Sequence, residues 1–255
     1  MPFIDKALIA SVGFLVVLAL ALVLVVESHP LVPHVGAPHP ADSVGAIFYD
    51  GRFTCSGSEI NLPNGGKAFL TARHCVIDEH FKLHAGKRTV SFSNNELGPF
   101  YKADLLALGL DDDIALLKLV NDQDVPALDL VSEKLEQPNA PIYNISFPLD
   151  AGKTQFYGNF IAARFAHVPF FFEEYPEWHE TMPMAMTIAH GSSGSPVFNK
   201  FGQVIGIAVG TFGEGNFNIA EPTTRAWAIA TYPESYTWAL FQKFHPPTED
   251  DDFDF

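Results

Sequence analysis

Positive charge is scarce in this chain. Its 255 residues hold 15 Lys and Arg against 30 Asp and Glu, a formal net charge of −15, and no Lys/Arg cluster offers a local exception. A surface of that sign repels phosphate backbones and argues against nucleic acid as a direct partner. Charged residues of both signs make up only 18%, against 47% hydrophobic. The chain is therefore not a disordered one, and its length suffices to bury one substantial core or two small ones. Cysteine is nearly absent: Cys55 and Cys75 stand alone and close together. An even pair in a chain that crosses a membrane early reads as a disulfide in an oxidising compartment. In a cytosolic domain the same pair reads as two buried thiols.

Residues 7–26, ALIASVGFLVVLALALVLVV, lack charge altogether. As a helix rising about 1.5 Å per residue they span roughly the 30 Å core of a bilayer. The run is apolar on every face and ends in VVESHP rather than in a small-x-small cleavage site, so it reads as an uncleaved signal anchor. Lys6 and the amino terminus are the positive groups on its N-terminal side. They place the bulk of the chain across the membrane, in an extracytoplasmic or lumenal space. Residues 27–43 follow as a stiff linker. The stretch 27–42 has four prolines, three histidines and no periodicity, and histidines scattered beside prolines read as solvated rather than as metal ligands.

From Val44 onward, short apolar runs alternate with Gly, Pro, Asn and Asp. They include VGAIFYD, KAFLTA, RTVSFS, DIALLKLV, APIYNISF, QFYGNFIAARF, AMTIA, SPVFN, QVIGIAVG and RAWAIATY. That spacing predicts an all-β fold. A polar break over 121–141 divides the strands into two barrels, expected over 44–130 and 131–244. The second expectation includes a short closing helix within 232–244, opened by Pro233. An acidic tail, 245–255, reads as a solvated end. Asn144-Ile145-Ser146 matches the N-glycosylation sequon, a pattern short enough to arise by chance.

Three local patterns carry chemistry, in the order His, Asp, Ser. FLTARHC ends a strand at His74, DDDIALLKL sets Asp113 against the start of another, and GSSGSP offers Ser193 between glycines. Acyl transfer by a serine needs a general base in reach, a carboxylate that fixes the base's tautomer, and donors for the developing oxyanion. Gly191 lets the backbone bend so that its N–H and that of Ser193 point to one spot, and Gly194, lacking a Cβ, leaves room for the substrate carbonyl. An α/β-hydrolase elbow would need glycine in place of Ser195, and no strand-helix alternation surrounds the loop. On its own the loop also fits a plain Gly/Ser turn.

Taken together, FTCSGSEI with LTARHC, DDDIALLKL, and GSSGSPVF with QVIGIAVG resemble the trypsin-like, chymotrypsin-fold serine peptidases. The likeness runs over about 44–244, and its third block is most similar to the glutamyl endopeptidase branch. The resemblance implies two six-stranded antiparallel β-barrels and a serine endopeptidase acting on protein or peptide substrates without a cofactor or metal. It implies His74 as general base, Asp113 as orienting carboxylate, Ser193 as nucleophile, the Gly191 and Ser193 amides as oxyanion hole, and a Cys55–Cys75 disulfide. Asp112 is the nearest alternative to Asp113. His80 and His84 lie beyond the motif and read as surface residues.

Departures from the family pattern matter as well. Ser192 stands where many relatives have the aspartate that pairs with a newly cut N-terminus, and no IVGG-like start precedes the first strand, so activation by that route is not expected. Thr187, Ile188 and Thr211 are expected to line the primary pocket. Ala208 matches the position of the glutamyl endopeptidase pocket histidine, so Glu preference is not inherited. With no carboxylate among these residues, an uncharged or apolar substrate side chain fits better than Lys or Arg. His190 stands at the rim, either touching a polar side chain or exposed without a role. Two alternatives accompany this reading. One is a catalytically silent, membrane-tethered binding module. The other is a polyprotein-processing protease of the kind some positive-strand RNA viruses tether to membranes, with the domain facing the cytosol.

Overall fold

The computed structural model describes residues 39–78, 80, 82–93, 98–109, 113–131, 138–161, 181–211, 226–231 and 241. The membrane segment, most of the linker and the acidic tail lie outside them. Among the described residues no helix is long and apolar enough to cross a membrane. Of the expected closing helix only Phe241 is described, helical and fully buried.

Among the described residues, twelve antiparallel strands form two closed barrels of six. The first holds β1 (Val44–Tyr49), β2 (Arg52–Asn61), β3 (Lys67–Thr71), β4 (Arg88–Ser91), β5 (Phe100–Leu108) and β6 (Ala115–Leu119) in the order β1-β2-β3-β6-β5-β4. The second holds β7 (Pro141–Ser146), β8 (Thr154–Phe160), β9 (Thr181–Met186), β10 (Pro196–Asn199), β11 (Val204–Thr211) and β12 (Ala226–Ala230) in the order β10-β11-β12-β9-β8-β7. Adding six to each strand number of the first barrel reproduces the second. Closure pairs every strand on both sides, which removes the exposed edges that an open sheet of this composition would leave.

The first core is built on Ile47, Ile60, Phe69, Leu70, Leu116 and Leu117, and it continues through Ile145, Phe147, Phe198 and Val204 of the second half. A separate cluster around Phe160, Met182, Met184, Met186 and Ile205 fills the second barrel. The polar break is more than a spacer. Leu128 bridges to Ile60 and Leu130 to Val204, so the connection contributes apolar side chains to both barrels.

Two strands escaped the pattern. β2 buries Ser56, Ser58 and Glu59 among its apolar residues, and β5 mixes Lys102 and Asp104 with leucines, so neither alternates cleanly. β9 begins at Thr181, earlier than the run AMTIA indicates. Part of the segment assigned to the linker lies among the described residues. Pro40–Ser43 forms a 3-10 turn capped reciprocally: His39 Nδ1 accepts from Ala41 N–H at 3.1 Å, and Asp42 accepts from His39 N–H at 3.1 Å. His39 is therefore a cap rather than a solvated linker residue. Lys153 fastens the turn from the other side, donating to the carbonyls of Ala41 and Phe92.

Candidate active site

The first barrel delivers a histidine and a carboxylate. Ala72 leads from β3 into a 3-10 turn, Arg73–Cys75, that carries His74. Asp113 precedes β6, and its carboxylate takes two hydrogens from the one residue: the His74 backbone N–H at 2.9 Å and ring Nδ1 at 2.5 Å. Asp113 is 1% exposed, while the His74 side chain keeps 30%. Burial pushes the imidazole pKa down, but the charge and hydrogen bond of Asp113 outweigh it, and the net direction is up. Burial likewise acts to raise the pKa of Asp113. The facing imidazole, its hydrogen bonds and the nearby Arg73 overcome that, and the net direction is down. Each partner thus favours the charged form of the other.

Behind this pair, the Tyr49 hydroxyl donates to the Cys75 carbonyl at 3.0 Å. His84 was expected on the surface. It is instead half-buried, edge-on to Tyr49, with Nε2 at 3.3 Å from the His74 carbonyl. His80 is exposed. Cys55 and Cys75 are joined in a disulfide, which ties β2 to the histidine turn. Both sulfurs and a ligand nitrogen of His74 lie within 4.8 Å of one another, and Cys75 Sγ is 3.8 Å from the Ser193 carbonyl oxygen.

The second barrel delivers the serine turn, residues 190–195 ahead of β10. Gly191 and Gly194 both have positive φ, 88° and 81°, which side chains disfavour. At Gly194 the space differs from the sequence expectation. A Cβ there would meet Thr71 Oγ1 at 2.2 Å, the Ser56 carbonyl oxygen at 2.4 Å and Ala72 N at 2.7 Å. The glycine therefore lets the turn close against the first barrel, rather than clearing a path for a substrate carbonyl.

Four successive carbonyls of this turn are tied down. His190 O accepts from Leu149 N–H at 2.7 Å, and Ser193 O from Ser56 N–H at 2.9 Å. Gly191 O accepts from Ser56 Oγ at 2.7 Å, and Ser192 O from Ser195 N–H at 3.0 Å and Ser195 Oγ at 2.5 Å. The amides of Ser192, Gly194 and Ser195 are used internally. Among the described residues, those of Gly191 and Ser193 have no acceptor. In a trans peptide the N–H points opposite to the preceding carbonyl, so anchoring His190 O and Ser192 O leaves these two N–H groups as a pair of free donors. Ser193 is half-exposed beside them. Among the described residues no hydrogen bond joins its hydroxyl to His74.

Ser192 and Ser195 are fully buried. Ser192 Oγ lies 3.0 Å from Ser146 Oγ and accepts from Ala189 N–H at 3.4 Å. Asn144 Nδ2 donates to Ser195 Oγ at 2.7 Å and to Pro196 O at 2.8 Å. Two of the three sequon residues are therefore struts of the turn, and the burial of Asn144 in the folded domain leaves no room for a glycan. Sequence reasoning missed Ser56, Asn144, Ser146 and Leu149. The one available signal was small polar residues at strand positions otherwise filled by apolar ones.

The residues expected around the primary pocket are spread over several environments. Ile188 and Ala208 are buried within the second core cluster, Thr187 is half-buried and His190 is exposed. Thr211 ends β11, paired with Ala226.

Residues 56–207 match the family model for the trypsin-like peptidase domain. The chain belongs to that family. Solved structures place this trypsin-like peptidase in the same fold. Rv3671c from M. tuberculosis, in an inactive form, is 16% identical with a TM-score of 0.61, over 82% of this chain and 91% of that one. Its active form gives 16% and 0.59, over 75% and 77%. The HtrA-type protease AlgW with a decapeptide gives 20% and 0.57, over 75% of this chain but 51% of that one. No curated protein matches the sequence. The peptidase thus shares its overall fold with these proteins, at identities that speak for the fold alone.

Proposed function

We propose that this trypsin-like peptidase is a membrane-anchored serine endopeptidase that works through Ser193, His74 and Asp113. The observation that carries the reading is the buried Asp113 carboxylate held 2.5 Å from His74 Nδ1, beside a serine turn with two unengaged N–H groups. With Nδ1–H bonded to Asp113, neutral His74 keeps Nε2 as the base. Nε2 takes the Ser193 proton as Oγ attacks the peptide carbonyl, and the oxyanion forms against the Gly191 and Ser193 amides. Protonated Nε2 then gives its proton to the leaving amine, and water repeats the sequence on the acyl-enzyme.

The similarity to AlgW, solved with a decapeptide, supports a peptide as ligand. Ser192 supports a domain active as folded: it is neutral and already bonded to Ser146 and Ala189, so it offers a new N-terminus no charge to pair with. The likeness to glutamyl endopeptidases extends to the serine turn and not to specificity, since Ala208 replaces the pocket histidine. An uncharged or apolar side chain before the scissile bond is the preference proposed. Residues 7–26 serve as the anchor, and the Cys55–Cys75 disulfide supports an extracytoplasmic or lumenal domain. Cleavage of a diverse peptide library by the full chain in detergent, read by mass spectrometry, tests this reading. The expected products end in uncharged residues and vanish in Ser193→Ala. Equal cleavage by Ser193→Ala, or products ending mainly in Lys or Glu, would overturn the corresponding part.

A further inference from the structure

We infer that Ser56 is a positioning residue for the oxyanion hole, reaching across from the first barrel to hold the serine turn of the second. The inference rests on the peptidase reading above and deepens it.

Ser56 lies on β2, next to Cys55, and is fully buried. All four of its hydrogen-bonding functions are engaged, and three of them concern the second half of the molecule. Its N–H donates to Ser193 O at 2.9 Å. Its hydroxyl donates to Gly191 O at 2.7 Å and accepts from Phe147 N–H at 2.9 Å. Its own carbonyl accepts from Thr71 Oγ1 at 2.8 Å, and that threonine packs against Gly194. One residue therefore fixes the carbonyls on either side of Ser192, its hydroxyl holding Gly191 O and its backbone N–H holding Ser193 O.

The second holder of the turn stands next in line. Phe147, which donates to Ser56 Oγ, directly precedes Pro148–Asp150, a tight turn in which Leu149 and Asp150 have positive φ, 51° and 58°. Such backbone is costly for residues other than glycine and persists only where surroundings enforce it. It aims Leu149 N–H at His190 O, the carbonyl of the same peptide as the unengaged Gly191 N–H. Ser56 thus acts on the hole twice: through Gly191 O directly, and through Phe147 on the strained turn that holds His190 O. Ser58, two residues further along β2, has a buried hydroxyl with no partner, so burial of a serine on this strand does not by itself create the clamp.

A donor misplaced from the oxyanion loses transition-state stabilisation and leaves ground-state binding intact. The test measures kcat and KM of the full chain in detergent for wild type, Ser56→Ala, Ser56→Cys and Ser58→Ala, with folding checked by circular dichroism. Ser56→Ala is expected to lower kcat about 10–100-fold with KM within about twofold, given that loss of a whole donor costs about 10²–10³-fold. Ser56→Cys, similar in size with a weaker donor, is expected to fall between, and Ser58→Ala to match wild type. If Ser56→Ala does not fold, Ser56→Cys decides alone: a kcat loss of about 3–10-fold with KM kept supports the inference. Wild-type kcat in a folded Ser56 variant, or a loss confined to KM, overturns it. An inactive wild type would overturn the peptidase reading and this inference together, an outcome distinct from the failure of Ser56 alone.

Discussion

The two barrels share one strand order and put it to different uses. The first fixes its histidine by charge, through a buried aspartate that grips both the ring and the backbone of one residue. The serine turn of the second is held by neutral groups only: Asn144 and Ser146 from β7 act on Ser195 and Ser192, and Ser56 of the first barrel acts on Gly191 and Ser193. On the mechanism proposed above, the contrast follows from what each half does. A base that alternates between neutral and protonated forms gains from a fixed countercharge. A turn that must present bare N–H groups to a developing anion needs rigidity, and a nearby carboxylate would oppose that anion.

Changes to the charged half should have the largest effects. Asp113→Asn removes the countercharge and is expected to lower kcat about 10⁴-fold. Because Asp113 is what lifts the His74 pKa, the acid limb of the kcat/KM profile should move to lower pH in this variant, and a limb that stays in place would contradict the pairing. Next comes the covalent tie. Replacing both Cys55 and Cys75 by serine opens a link across 20 residues and is expected to cost roughly 2–4 kcal/mol in denaturant unfolding.

The first barrel also holds a carboxyl outside the proposed site. Glu59 is fully buried, with no hydrogen-bond partner for either oxygen by geometry. Burial, and secondarily the nearby Asp122, raises its pKa to about 9. The unfolded chain ionises this group near 4.5, so its contribution to stability is fully present below that pH and is lost as pH rises toward 9. Glu59→Gln should flatten this decline and gain on the order of 2 kcal/mol over wild type at pH 8, read from urea midpoints across pH. A parallel pH dependence in the variant would assign the decline elsewhere. The smallest effect is expected in the neutral half: Asn144→Ala should cost about 1–2 kcal/mol of stability by leaving the Ser195 hydroxyl and the Pro196 carbonyl short of a donor. Activity is expected to fall less than in Asp113→Asn.

Legibility in the sequence followed the same division. Barrel strands with clean apolar runs, such as β6 and β11, were readable, and so was the pairing of His74 with Asp113, because each of the two abuts such a run. The supports of the serine turn were not. Ser56, Asn144 and Ser146 are small polar residues whose partners lie 46 to 135 positions away, and their one local mark, a polar residue in an apolar strand, does not say which partner each one takes. Gly194 was read as clearance for substrate, whereas the closest atoms belong to the other barrel. His39 and His84 looked like solvent-facing residues, because capping and edge-on packing leave no periodic signal.

The central claim is that Ser193 is a nucleophile activated by His74. Its most direct measurement is labelling of the folded full chain with a fluorophosphonate, followed by mapping of the modified peptide. The predicted result is a single adduct on Ser193, formed by wild type and reduced by several orders of magnitude in rate in His74→Ala. An unlabelled folded wild type, or an adduct that forms equally fast without His74, would contradict it.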